Sequence, residues 1–117
     1  MLTNQTFNLL KDCTRNSLLN NSNEITWYKT GSLCYTSSLV NDNTYLICRY
    51  TDTVTKITKV SITKLDDQGC YVSENDQEFE TDCNEYNILN ELYEMILNKH
   101  LVPSYEGNKL NFISEVA

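Results

Sequence analysis

One proline, one histidine, one tryptophan and three scattered glycines occur in a chain of 117 residues. Gly31, Gly69 and Gly107 each stand alone, so the glycine-rich cradles that hold nucleotide phosphates are excluded. His100 has no Ser or Cys motif around it and falls at the end of a predicted helix, where a capping role suits it better than proton transfer. The five cysteines, Cys13, Cys34, Cys48, Cys70 and Cys83, lie too far apart for a C-x-x-C zinc or redox signature. Their odd number, and the polar Thr3, Asn4 and Gln5 after Met1 in place of a basic then apolar leader, lead us to expect free thiols in a reducing cytoplasm. Apolar runs are a few residues long, which excludes a spanning helix.

Positive charge is missing from one stretch altogether. Between Lys64 and Lys99 there is no Lys or Arg, while residues 65–98 carry ten acids of the chain's 16. Residues 1–64 hold seven bases against four acids, so the formal net charge of -7 is concentrated in one third of the sequence. Affinity for a nucleic acid backbone comes from clustered Lys and Arg releasing counterions, so direct binding to DNA or RNA is disfavoured and a basic partner is expected.

What is present is enough for one folded unit. The 40% hydrophobic and 10% aromatic content clears the regime in which chains stay disordered. The length suits a single core, which we assign to residues 1–103, with 104–117 as a tail that either adds a short strand or stays mobile.

Residues 3–19 read as a helix from Phe7, Leu10, Cys13 and Thr14, stopped by Asn20-Asn21-Ser22-Asn23. From Glu24 the period changes to two. Strands are expected around Ile25 and Trp27, from Leu33 to Val40, from Tyr45 to Tyr50 and from Lys56 to Leu65, with Cys70, Tyr71 and Val72 pairing back after the turn at Asp66–Gly69. Val60 and Ile62 alternate with Lys59, Ser61 and Thr63, which gives the sheet one wet side, and Ile57 falls on it. The last helix opens with a capping box of Asp82 and Glu85 and shows the stripe Tyr86, Leu89, Leu92, Tyr93, Ile96 and Leu97, closed by Lys99, His100 and Pro103. The expected fold is α+β: an N-terminal helix, an antiparallel sheet of four to five strands in mostly sequential order, and a C-terminal amphipathic helix packed on one face.

Glu74, Asp76, Glu78, Glu80 and Asp82 recur at every second residue. In an extended chain they would form one row of carboxylates about 6.6 Å apart. Like charges along a strand repel, so Ser73–Thr81 is expected as an exposed loop or a weakly paired edge strand. The same stretch lacks the sixth-position Gly and closing Glu of an EF-hand, and a solvated row of acids is a poor general acid, so neither a metal site nor an enzyme is expected and no cofactor is implied. Trp27, Tyr28, Tyr35, Tyr45, Tyr50, Tyr71 and Tyr93 serve first as sheet and core packing, with some to spare for a surface, Tyr71 among them.

The order Phe7, Leu9-Leu10, Thr14, Ile25, Trp27, alternating strands, then Leu89, Leu92-Tyr93 and Ile96 resembles small proteins carried by phages and mobile elements. The acidic, motif-free character is similar to anti-CRISPR and other phage counter-defence proteins, several of which act as nucleic-acid mimics on a host nuclease complex. That resemblance implies a non-enzymatic inhibitor in the host cytoplasm that binds a basic CRISPR effector or other nuclease complex; it carries over no binding residue, and the residues expected to bind come from the acidic row itself, Glu74, Asp76, Glu78, Glu80 and Asp82, with Tyr71 as anchor. Two other readings stay open: an immunity or antitoxin-type protein neutralising a basic toxin, and a small-ligand sponge with a pocket between helix and sheet lined by Trp27, Tyr35 and Tyr93.

Overall fold

The alternation read from the sequence becomes a sheet with one face under two helices. A computed structural model describes residues 1–19 and 24–98 in full, together with the backbone of residues 101–106 and 109–114. Helix α1 (Asn4–Leu19) precedes strands β1 (Trp27–Lys29), β2 (Cys34–Ser37), β3 (Tyr45–Thr51), β4 (Thr58–Lys64) and β5 (Asp76–Glu80), then helix α2 (Asn84–Asn98). The five strands form one antiparallel sheet in the order β1-β2-β3-β4-β5. Sequential order follows from short connections: adjacent antiparallel strands need only a turn between them. Strands β6 (Leu101–Glu106) and β7 (Lys109–Ser114) form a separate antiparallel hairpin, so the expected tail pairs with itself and adds no strand to the main sheet. The stop at Asn20–Asn23 and the closing Lys99 and His100 lie outside the described residues.

Trp27, Tyr35, Tyr45, Ile47, Val60 and Ile62 point to one side of the sheet and are buried there with Phe7 and Leu10 of α1 and Ile88, Leu89, Leu92, Tyr93 and Ile96 of α2. Burying each large apolar side chain contributes roughly 1.5–3 kcal/mol, so this cluster is the main favourable term in the fold. Both helices cross the strands. The start of α1 lies at β5, where the Leu2 N–H donates to Gln77 Oε1 (2.8 Å) and the Phe7 and Phe79 rings meet edge to face at 6.0 Å. Its far half lies at β1, where Trp27 Nε1 donates to Thr14 Oγ1 at 2.9 Å. Helix α2 starts beside β5, passes Arg49 of β3, which donates to Asn90 Oδ1 (3.0 Å), and reaches β2, where the Tyr93 hydroxyl donates to the Leu33 carbonyl (2.9 Å). The helices therefore run side by side in the same direction, linked by the Lys11–Glu91 ion pair at 2.5 Å.

Local chemistry sets the turns. Asn41 and Asp42 both take positive φ (50° and 67°) between the mutually bonded Val40 and Asn43, as a two-residue hairpin turn requires. Asp66 Oδ1 accepts the N–H groups of Gln68 and Cys70, and Gly69 takes φ 77°. This turn leads into irregular chain at Cys70–Val72 rather than a strand, and the chain pairs back only from Asp76. Ile57 precedes β4, and does not occupy a wet position within it.

The expectation of free thiols and that of an Asp82–Glu85 capping box are both corrected. Cys34 and Cys48 face each other as a directly opposed pair of β2 and β3, Cα atoms 4.3 Å apart, and are joined by a disulfide, while Cys13, Cys70 and Cys83 are free. The Arg49 N–H donates to the Leu33 carbonyl, which makes Cys34 and Cys48 a non-hydrogen-bonded pair, the narrower of the two spacings in an antiparallel ladder. The start of α2 uses Cys83 in place of the Asp82–Glu85 box: its sulfur accepts the Tyr86 N–H (3.4 Å), and Asp82, at φ 78°, belongs to the preceding turn.

Thr14 is buried, donates its hydroxyl to the Leu10 carbonyl (2.7 Å) and accepts from the buried Trp27 indole. Thr14→Val keeps the shape and strands the indole N–H, so urea unfolding should show a loss of about 1–3 kcal/mol, whereas Thr14→Ser should retain most of the stability.

Candidate functional site

Strand β5 is the edge of the sheet, and its alternation has two sides. Gln77 and Phe79 turn toward the helices; Asp76, Glu78 and Glu80 stand on the opposite, outer face. Carboxylates two apart on one face are about 6.6 Å from each other. Three of the five sequence-predicted acids therefore form the expected row. The other two do not: Glu74 sits in a 3-10 turn (Ser73–Asn75) held by the Asn75 N–H to the Val72 carbonyl, and Asp82 lies in the turn before α2. Tyr71 is 55% exposed and feels the charge of Asp76, so the predicted aromatic stands near the head of the row.

A strand with three acids pairs well because its neighbour supplies partners. Lys59 of β4 places its Nζ 3.3 Å from Glu78 Oε1 and 3.7 Å from Glu80 Oε1. The Tyr50 hydroxyl of β3 donates to Glu78 Oε2, and the Thr63 hydroxyl donates to Asp76 Oδ1 at 2.8 Å. Thr63, expected on the wet side, is 1% exposed. Exposed ion pairs of this kind contribute little each; they oppose repulsion within the row and do not erase its charge. Among the described residues one cation, Lys59, pairs with the row against its three carboxylates.

The protonation equilibria report the same contacts. The Tyr50 hydrogen bond, with Lys59 behind it, holds the Glu78 carboxyl below the usual carboxylate range. In return the Tyr50 phenol is pushed up to about 12, chiefly by that bond. Lys59 is raised by its bond to Glu78 and by that carboxylate's charge. Tyr71 is raised first by desolvation and then by Asp76. Sequence reasoning missed Tyr50, Lys59 and Thr63, whose only signal is the cross-strand register.

Behind the row, between the β5 edge and the first residues of the two helices, lies a groove of about 510 Å³. Phe7, Phe79 and Leu2 give it an apolar floor; Asp76, Glu78 and Glu85 put negative charge around it, and among the described residues no Lys or Arg lines it. The pocket expected between Trp27, Tyr35 and Tyr93 is filled instead. All three rings are buried, Tyr35 and Tyr93 meet edge to face at 5.7 Å, and the Arg49 guanidinium lies 4.5 Å from the centre of the Tyr93 ring. Among the described residues, no group of three His, Cys, Asp or Glu side chains is arranged to hold a metal ion, and no helix is long and apolar enough to cross a membrane.

A phenol raised in the folded state keeps its proton longer there. The Tyr50–Glu78 bond should thus contribute in full between the acid range in which the Glu78 carboxylate takes up a proton and the ordinary tyrosine value near 10, and be lost as pH rises through about 12. Absorbance at 295 nm or the NMR shift of the Tyr50 ring should place its ionisation there, and Glu78→Gln should return it toward 10.

No protein-family model, no curated protein and no solved structure matches this chain.

Proposed function

We propose that this chain is a non-enzymatic inhibitor that binds a basic, nucleic-acid-handling host defence complex, of which a CRISPR effector is one type, through the acidic outer face of β5. The observation that carries the reading is the row Asp76, Glu78, Glu80, three exposed carboxylates on one face at a spacing close to that of successive phosphates on one strand. A surface of this kind is drawn to a positively charged cleft at long range and competes there with the nucleic acid. Tyr71, exposed next to Asp76, supplies the aromatic anchor that protein interfaces favour. Glu74 and Asp82 add negative charge on either side of the row without belonging to it.

Action in a host cytoplasm would expose the Cys34–Cys48 bond to cellular thiols, so binding should be measured with that bond both intact and reduced.

The triple variant Asp76→Asn, Glu78→Gln, Glu80→Gln tests the reading. A pull-down from nuclease-treated lysate, with mass spectrometry, should recover a nuclease or defence complex with the native chain, less of it as salt rises, and none with the variant, whose circular dichroism stays native. Equal recovery by both proteins would sink the acidic-face reading. A basic toxin recovered in place of a nuclease complex would move the assignment to an immunity-type protein using the same face.

A further inference from the structure

The backbone of β5 offers a second binding feature, independent of its side chains. The Leu65 N–H donates to the Thr44 carbonyl and the Asp52 N–H to the Ile57 carbonyl, which fixes the phase of the β3–β4 ladder. The backbone groups of Lys59, Ser61 and Thr63 therefore face β3, and those of Val60 and Ile62 face β5. Their partners Phe79 and Gln77 turn their own groups inward. The N–H and C=O of Glu78 and Glu80 consequently point away from the sheet. Among the described residues no strand pairs with that side, and β6 and β7 belong to a separate sheet. An open edge of five residues runs about 17 Å.

The groove lies along this edge, so a strand added to β5 would meet two chemistries at once. On the helix side its residues would enter over Phe79, Phe7 and Leu2; on the outer side they would stand beside Asp76, Glu78 and Glu80. We infer that β5 accepts an extended partner segment of about five residues in which Lys or Arg alternates with apolar residues, added as a sixth strand of the sheet. Main-chain bonds hold such a segment, alternate side chains select it, and opposite charges directly across a strand pair favour it. Among the described residues no Lys or Arg side chain lines the groove while Asp76, Glu78 and Glu85 do, which disfavours an acidic segment. This deepens the acidic-face reading and rests on it for the sign of the partner's charge.

The test uses the full chain and labelled, end-capped peptides read by fluorescence anisotropy: Lys-Val-Lys-Val-Lys, its isomer Lys-Lys-Lys-Val-Val, and two versions of the first that are N-methylated on one or the other alternating set of backbone nitrogens. The alternating peptide should bind at least about tenfold more tightly than the block isomer, and one of the N-methylated versions, but not the other, should lose at least about tenfold. Equal binding by all four would overturn strand addition and leave charge alone as the attraction, with the acidic-face reading intact. No binding of the alternating peptide at about 1 mM would also overturn it. Peptide binding that keeps this pattern while the triple variant still recovers the defence complex would leave the edge site standing and remove the acidic face as the route to that complex.

Discussion

Burial of a single face of the sheet is the constraint from which the other features follow. Ile47, Val60 and Ile62 have no exposed surface, and neither do Leu10, Leu89, Leu92 and Ile96 above them. A one-residue slip of β3 or β4 would move those side chains to the outer face, so the hydrophobic term fixes register as well as stability. Once register is fixed, everything on the outer face is placed too. Lys59 must stand opposite Glu80 and diagonal to Glu78, Ser61 opposite Cys48, and Thr63 opposite Asp76. The polar constellation on the outer face is thus a consequence of packing on the inner one.

Helix direction adds a favourable field for negative charge at the β5 end of the molecule. Both helices begin at the β5 side, and the start of a helix carries partial positive charge on its unpaired N–H groups. Helix α2 has Glu85 in its first turn, but α1 has no acid of its own there. Its first residue, Asn4, and the preceding Thr3 share the groove with Asp76, Glu78 and Glu85. Negative charge at a helix start is worth typically 0.3–1 kcal/mol, comparable to an exposed ion pair. Together with Lys59, Tyr50 and Thr63, this sets the repulsion within β5 against several small attractions of similar size. No single one dominates.

How far the sequence alone reaches can be judged residue by residue. The stripe from Tyr86 to Leu97, the alternation around Val60 and Ile62 and the run from Tyr45 to Tyr50 all lie within one element, and each appears where its period places it. The acidic row was overextended because alternation cannot say where a strand ends. Asn75 closes a turn with Val72 and Lys64, and Asp82 takes positive φ, so Glu74 and Asp82 leave the row for reasons invisible to spacing. The disulfide was hidden for a related reason. Extending the Val40–Asn43 pairing outward would set Cys34 opposite Arg49, but the ladder pairs it with Cys48. The one-residue shift is taken up between turn and ladder, where Ser37 Oγ accepts the Tyr45 N–H. Local pattern identifies elements; partners across strands depend on such shifts.

An unpaired edge strand is usually a liability, because two copies can join along it. Acidic residues on β5 change what can approach. A second copy would bring Asp76, Glu78 and Glu80 against the same three carboxylates, with only Lys59 on each side to compensate, and like charges across a strand pair disfavour it. A segment with Lys or Arg at alternate positions meets no such barrier, and its apolar residues gain the floor formed by Phe7 and Phe79. The charge that keeps the edge from pairing with itself is then the charge that selects a basic strand. Under this arrangement the open backbone of β5 and the carboxylates beside it act as one device: the backbone provides the means of attachment, and the acids decide what may use it.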